Sequence, residues 1–422
     1  MGKDNREKKK LKKKQDRKTI TPNPVFVRFI RPLIHTILKY RYKLEIDDRV
    51  GLSSLKAPYI VVGNHVNFWD PFFIGVYLPH DIQWVATDNV FRTKIFFVLM
   101  KLFGSIPASK FMTDMKAVAQ IIRVTKKGGV VGVFPEGNKT WDGSTLRHIP
   151  TIARLIQKLK LPVIGVITKG GYLSKPRWGR GLRKGKVRME YRLVFTPEEL
   201  KSMDSATCGR LLEERIEHNE QEWVGQEKIP FIGKRPAEYI ERVLFVCPQC
   251  KSIASFYSNG DTAECTSCGY SFRYDPYGEL HPVQGPRIFS SVPEWNEWQV
   301  RYFYSLVNRD MEVKEPLFEE GPALLWRGYR AEPLKRLNTG RASFYPSGIA
   351  FRTTIGKEMF FPLLDIYGEN VQDKEKLEFY YQNSLYRLDF LNVRASAYMW
   401  YQAISLLHQK AQNRQIDGRA HS

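Results

Sequence analysis

The sequence predicts an α/β domain with a mixed sheet and flanking helices, followed by a small cysteine-bearing module and a β-rich domain with a C-terminal helix. Three observations predict it. Apolar, β-branched runs at 59–63, 129–134 and 161–167 alternate with helical patterns, and the first two stop at polar residues, as buried strands of a helix-covered sheet do. Two CxxC pairs, Cys247/Cys250 and Cys265/Cys268, are separated by fourteen residues. From 324 onward short alternating segments punctuated by turns lead into a helical pattern over 395–409.

Composition limits the function classes. At 422 residues and 43% hydrophobic the chain has room for two or three cores and is not disordered as a whole. The net charge of +22 calls for an anionic partner: nucleic acid, an anionic membrane surface or a phosphorylated substrate. Ten Lys or Arg against three acidic residues in positions 1–18 account for +7 of it, so the rest of the chain is basic too. Four of the five cysteines fall in two close pairs, which suggests a metal site in a reducing compartment. No leader-like segment and no apolar run of the ~18 residues needed to span a bilayer is visible, so the expected location is peripheral, on the cytoplasmic face of a membrane.

In chain order, 1–23 reads as a disordered basic tail. Residues 24–42 read as a greasy helix with a basic stripe, Arg28, Arg31, His35 and Lys39, directed at headgroup phosphates; a helix packed on the domain body fits equally, and Pro32 predicts a break. The strand at 59–63 delivers Asn64-His65-Val66-Asn67-Phe68-Trp69-Asp70. Imidazole at a strand end is a candidate base and Asp70 a candidate orienter, although Asp70 before Pro71 also suits a helix N-cap with an incidental histidine nearby. An apolar helix over 91–103 ends at Gly104 and is too short to span. The turn 104–110 presents Lys110, a helix follows over 113–127, and the strand at 129–134 delivers Pro135-Glu136-Gly137-Asn138-Lys139-Thr140. Gly137 permits close backbone approach and Lys139 supplies a point charge suited to phosphate.

Asn64-His65 with Asp70, the turn 104–110, Phe134-Pro135-Glu136-Gly137 and Leu161-Pro162-Val163 occur in the order and spacing of four motif blocks. Over roughly 45–200 the chain thereby resembles the glycerolipid acyltransferase family that acylates lysophosphatidate and glycerol 3-phosphate. The resemblance implies His65 as general base, Asp70 as its orienter, and Glu136 and Gly137 in a glycerol-phosphate site to which Asn64, Lys110 and Lys139 also belong. The pattern commonly has Ser at Asn67, Arg at Lys110 and Thr-Arg-Ser at Asn138-Lys139-Thr140; lysine keeps the charge but loses the bidentate fork. Transfer would run from an acyl thioester, acyl-CoA or acyl carrier protein, to a lysophospholipid hydroxyl, most simply that of 1-acyl-glycerol-3-phosphate. No nucleophile motif is present and Cys208 has no activating context, which favours direct transfer.

In the second half the paired CxxC motifs, with Asn259-Gly260 as an intervening hairpin turn, resemble a zinc ribbon whose four thiolates would hold a structural Zn2+, a reading this spacing favours over a redox dithiol pair or an iron–sulfur site. The hairpins and C-terminal helix, with Trp400 facing inward, resemble the pleckstrin-homology and GRAM superfamily. That implies a lipid or protein ligand, with Lys335, Arg336, Arg341 and Arg352 as headgroup candidates, or else a docking domain without one. The expected organisation is a tail (1–23), an acyltransferase domain with an interface helix (24–235), a zinc ribbon (236–285), a helical linker (286–320) and a PH-like domain (321–412). The competing readings are a basic nucleic-acid-binding zinc-ribbon protein and a catalytically inactive lipid-binding scaffold; the motif blocks favour lipid over nucleic acid.

Overall fold

The Asn23 side chain accepts the Phe26 amide and Pro24 occupies the first turn, so helix α1 (Pro24–Arg41) starts where capping chemistry places it. The computed structural model describes residues 20–109, 114–307, 315–330 and 332–420, with side chains to 409; the expected basic tail up to residue 19 and Lys110 lie outside the described residues. Helix α1 runs through Pro32 where a break was expected. Its docking offsets the missing amide bond: Arg31 donates to the carbonyls of Leu78 and His80 and pairs with Asp81 at 3.0 Å, Phe26 meets Phe103 edge-on, and His35 meets Tyr77. The stripe is therefore divided: Arg31 and His35 turn toward the domain, while Val25, Phe29, Leu33, Ile37 and Tyr40 are exposed.

The first of two compact units comprises residues up to Lys139, Thr145–Gly171 and Lys186–His218. Its sheet has the order β1-β7-β6-β2-β5-β3-β4, with β1 (Lys43–Asp48), β2 (Ile60–Gly63), β3 (Ile82–Thr87), β4 (Ile106–Ala108), β5 (Val130–Val133), β6 (Val163–Lys169) and β7 (Lys186–Phe195). β2 is parallel to β5 and β6, whereas β7 runs antiparallel to β6, so the sheet is mixed as expected. Helix α2 (Asp70–Tyr77) follows β2, and α3 (Lys94–Leu102) ends before Gly104 at φ +68, the left-handed position that glycine fills cheaply. Helices α4 (Met115–Lys126), α5 (Pro150–Leu159) and α6 (Ser205–Ile216) bring Ile121, Ile156 and Leu212 onto Val62, Val133 and Val163 in one apolar core. In β2 and β5, Ile60 pairs with Val131 and Val62 with Val133, so both strands stop at the same sheet edge. That edge carries the site.

The second unit comprises Thr140–Ser144, Tyr172–Gly185 and Asn219–Ser422. Strands β8 (Phe256–Asn259), β9 (Thr262–Cys265), β10 (Ser271–Tyr274) and β11 (Leu280–Gln284) form an antiparallel meander, with Gly260 at φ +63 in the first turn. Helix α7 (Val292–Val307) inserts the fully buried Trp295 against Phe256, Tyr270 and Phe272. Beyond it a seven-stranded antiparallel sheet has the order β15-β14-β13-β12-β18-β17-β16, from β12 (Phe318–Gly328), β13 (Lys335–Tyr345), β14 (Gly348–Thr353), β15 (Glu358–Pro362), β16 (Tyr367–Gln372), β17 (Lys376–Tyr381) and β18 (Ser384–Phe390). Helix α8 (Ala397–Ala420) closes it, and Trp400, fully buried, packs on Phe318, Phe344 and Phe390. The two short early segments are part of this core: Trp141 stacks on Tyr398, and Arg177 lies 4.2 Å over Trp141 and donates to the Val371 carbonyl.

One ion pair gives this unit a pH signature. His408 on α8 lies 3.5 Å from Glu369 on β16, and that carboxylate, against the opposing effect of burial, raises the imidazole above its ordinary 6.5. A raised folded-state value means that the stabilisation is fully present below about pH 6.5 and is lost as pH rises through the folded-state value. The melting temperature is expected to fall over that upper interval in the wild type and to lose this part of its slope in Glu369→Gln. Identical pH–melting curves would remove the pair from the account.

Candidate active site and candidate metal centre

Beyond β2 the chain turns sharply, and Asp70 organises the turn. Its Oδ2 accepts from the amides of Val66 (2.7 Å) and Asn67 (2.9 Å) and lies 2.8 Å from His65 Nδ1. Asp70 is fully buried while the His65 side chain retains 19% exposure. Trp69 is the N-cap of α2 and Asp70 its first residue, so the carboxylate caps the preceding loop and not the helix. The imidazole is fixed in tautomer and direction: Nδ1 faces the carboxylate, which leaves Nε2 as the nitrogen able to exchange a proton with substrate.

The neighbouring motif residues are placed by the same economy of buried polar groups. Asn64 accepts the Thr168 amide (2.8 Å) and donates to the Thr168 carbonyl (3.0 Å), extending the β2–β6 pairing by one side-chain rung. Glu136 accepts the His65 amide through Oε1 and the Leu146 amide through Oε2, each at 3.0 Å. These two side chains therefore hold backbone, and Glu136 ties the end of β5 to the end of β2. Gly137 has φ +64, a left-handed conformation in which any other side chain would be strained, so this turn favours glycine. Lys139 follows two residues later and is half-buried. The structure thus groups His65, Asp70, Asn64, Glu136 and Gly137 at one sheet edge.

Sequence reasoning missed the ring stack behind His65. Phe134 lies face to face with the imidazole at 4.2 Å and 15°, and Trp84 lies face to face with Phe134 at 4.8 Å and 10°. A strand-end aromatic in the block 134–137, opposite a glycine-bearing strand, was the available signal. Cys208 is buried against the Ala153 carbonyl, and burial pushes its thiol up to about 11, which suits packing and not nucleophilic attack. On the outer surface of this unit Phe68, Trp69, Phe96 and Phe97 are exposed beside Ile95 and Val98. No helix among the described residues is long and apolar enough to cross a membrane.

In the second unit the sulfurs of Cys247, Cys250, Cys265 and Cys268 all lie within 4.8 Å of one another. Cys247 to Cys268 and Cys250 to Cys265 are each 3.7 Å apart, close to the ~3.8 Å edge of a tetrahedron with metal–sulfur bonds of ~2.3 Å. Amides of Gln249 and Cys250 point at the Cys247 sulfur, and those of Ser267 and Cys268 at Cys265. Burial raises the Cys265 thiol, but the hydroxyls of Ser252 and Ser255, with those amides, outweigh it and bring the group down to about 6. Four thiols without a fifth ligand type form a closed, structural donor set. Of the basic candidates on the C-terminal sheet, Arg341 and Arg352 pair with Glu319 and Glu358, and Arg336 bonds Thr339.

Residues 41–169 match the sequence model of the Acyltransferase family. The chain is 25% identical over 165 residues to the 1-acyl-sn-glycerol-3-phosphate acyltransferase of Bacillus subtilis (strain 168), covering 38% of this chain and 78% of that protein. It is also 25% identical over 168 residues to the chloroplastic 1-acyl-sn-glycerol-3-phosphate acyltransferase BAT2 of Brassica napus, covering 39% of this chain and about half (48%) of that one. A structural comparison with PlsC, the 1-acyl-sn-glycerophosphate (LPA) acyltransferase from Thermotoga maritima, gives a TM-score of 0.40 at 18% identity over 48% of this chain and 79% of that chain.

Proposed function

We propose that this protein transfers a fatty acyl group from an acyl thioester to the hydroxyl of a lysophospholipid, 1-acyl-glycerol-3-phosphate being the acceptor favoured by the relatives, at the cytoplasmic face of a membrane. The observation that carries the reading is the His65–Asp70 pair, buried carboxylate on Nδ1 and partly exposed imidazole, inside the segment that matches the Acyltransferase family. His65 Nε2 removes the acceptor hydroxyl's proton as its oxygen attacks the thioester carbonyl. The ester C–O bond forms, the tetrahedral intermediate collapses, the C–S bond breaks, and the thiolate leaves with the proton that His65 returns. Asp70 holds and stabilises the imidazolium that forms. Lys139 and Lys110 are assigned to the acceptor phosphate. In this reading Asn64, Glu136 and Gly137, named as binding residues from the motif pattern, shape the acceptor site through the backbone they fix.

The exposed apolar residues of α1 and α3 suit burial at the headgroup boundary, with Arg28 and Lys39 beside them for anionic lipid. The four cysteines hold structural zinc, and the C-terminal sheet and helix form a PH-like module for a lipid or protein ligand. The test mixes purified protein with anionic vesicles carrying lysophosphatidate and with acyl-CoA or acyl carrier protein thioester, following free thiol and phosphatidate. Phosphatidate and thiol in equal amounts are expected. A folded, vesicle-bound protein that consumes neither thioester would sink the proposal for this acceptor.

A further inference from the structure

The stack Trp84–Phe134–His65 crosses three adjacent strands in sheet order, β3, β5 and then the end of β2. It is built deliberately into the backbone: Trp84 pairs with Gly132, where any Cβ would lie 2.4 Å from the indole, so only glycine lets that ring lie flat behind Phe134. Trp84 is buried, while Phe134 and the imidazole at the far end of the stack are each half-buried. Two constraints then act on His65. The Asp70 carboxylate fixes the direction of Nδ1 in the ring plane, and the Phe134 face fixes the plane itself; a single hydrogen bond would leave the ring free to rock about the Nδ1 axis.

We propose that Phe134, backed by Trp84, is a positioning residue for the His65 proton transfer: it sets the imidazole plane and its π face favours the imidazolium that forms when the acceptor proton is taken. The inference rests on the proposed acyl transfer. An aromatic face attracts a cation, more so where water is excluded. The charge on His65 exists only after proton uptake, so the contact strengthens along the reaction coordinate and acts on kcat more than on KM. The charged groups facing His65 include Asp70 from the start of α2 and Glu136 from the end of β5, whose carboxylate accepts the His65 amide; neither contact runs through Phe134.

The test compares Phe134→Leu, Phe134→Tyr and a protein carrying pentafluorophenylalanine at 134, which keeps the ring's shape while inverting the sign of its face. The first readout needs no substrate. NMR of ring-labelled histidine, assigned with His65→Gln, follows the His65 ring protons and their titration. In the wild type they are shielded by Phe134; Phe134→Leu is expected to lose the shielding, and both Phe134→Leu and the fluorinated ring to move the titration midpoint to lower pH by ~0.5–1.5. The second readout is kinetic: kcat falls roughly three- to thirtyfold in those two proteins with KM for both substrates held, the acid limb of the pH profile moves the same way, and Phe134→Tyr restores most of kcat. An unmoved midpoint in the fluorinated protein, which retains the packing, overturns the proposal, as does a loss confined to KM. Because the spectrum is read without turnover, a moved midpoint with no acyl transfer in any variant would keep the stack and reject the acyl-transfer reading instead.

Discussion

His65→Ala is expected to lower acyl transfer ~10²–10⁴-fold, the range for a positioned general base, while the protein stays folded. The second half of that expectation decides its value as a test. The His65 side chain is partly exposed and fills no closed core position. Removing it leaves Asp70 buried, but its Oδ2 keeps the amides of Val66 and Asn67, so the carboxylate is not orphaned. The His65 amide still donates to Glu136, which keeps the ends of β2 and β5 joined. Thioester-dependent phosphatidate formation on vesicles measures the loss, and circular dichroism with a melting curve checks the fold. Wild-type turnover in the variant would remove the imidazole from the chemistry. Asp70→Asn is a poorer first probe. One side-chain oxygen would face two amide donors and the ring while the new amide group needed acceptors in a fully buried turn, so stability and catalysis would fall together.

The strands and the pairing of His65 with Asp70 were legible because their signals are local. Val61 and Val62 in one run and Val131 and Val133 in another report burial directly, and polar residues just past them report a sheet edge. What is not legible is which way a side chain turns once the edge is built. Asn64, Glu136 and Asp70 look alike in sequence, as polar residues just past an apolar strand, yet Asn64 and Glu136 close backbone gaps and Asp70 also reaches His65. Which face of α1 packs on the domain is left open by the sequence for the same reason. Spacing identified the stripe of Arg28, Arg31, His35 and Lys39, but only the positions of Leu78, His80 and Asp81 reveal that Arg31 is bound to the domain, and only the fold shows that Val25, Phe29, Leu33, Ile37 and Tyr40 are exposed while Leu38 is buried. Composition could not show that Trp141 and Arg177, close in sequence to the first sheet, belong to the core of the second unit, since that depends on Tyr398 and Val371 more than 190 residues away.

Loss of the proposed zinc is expected to have the largest effect on stability. Purified protein should contain about one zinc ion per chain, the stoichiometry of a four-thiolate site, and Cys265→Ser should release it. Structural zinc binds with ~10–16 kcal/mol in small domains, comparable to the whole ~5–15 kcal/mol that keeps a typical domain folded. The loss should not stay at the knuckles. The amides of Phe245 and Val246, just before Cys247, donate to Gln299 Oε1, and the Val246 carbonyl accepts Trp295 Nε1, so the first knuckle is anchored on α7. Gln299 in turn donates to Asn296, and Asn296 to Asp142 at 2.7 Å. The amides of Phe245 and Val246, the Val246 carbonyl and Gln299 are buried, and an opened knuckle would leave several of them unsatisfied at ~1–3 kcal/mol each. Near-ultraviolet circular dichroism should therefore lose the signal of buried Trp295 in Cys265→Ser and in chelated wild type, with a lower melting temperature, and added zinc should restore the wild type alone. A metal-free protein that melts like the zinc-loaded one would show that the cysteines pack without an ion and that hydrogen bonding through Gln299 and Asn296 suffices to hold this part of the fold.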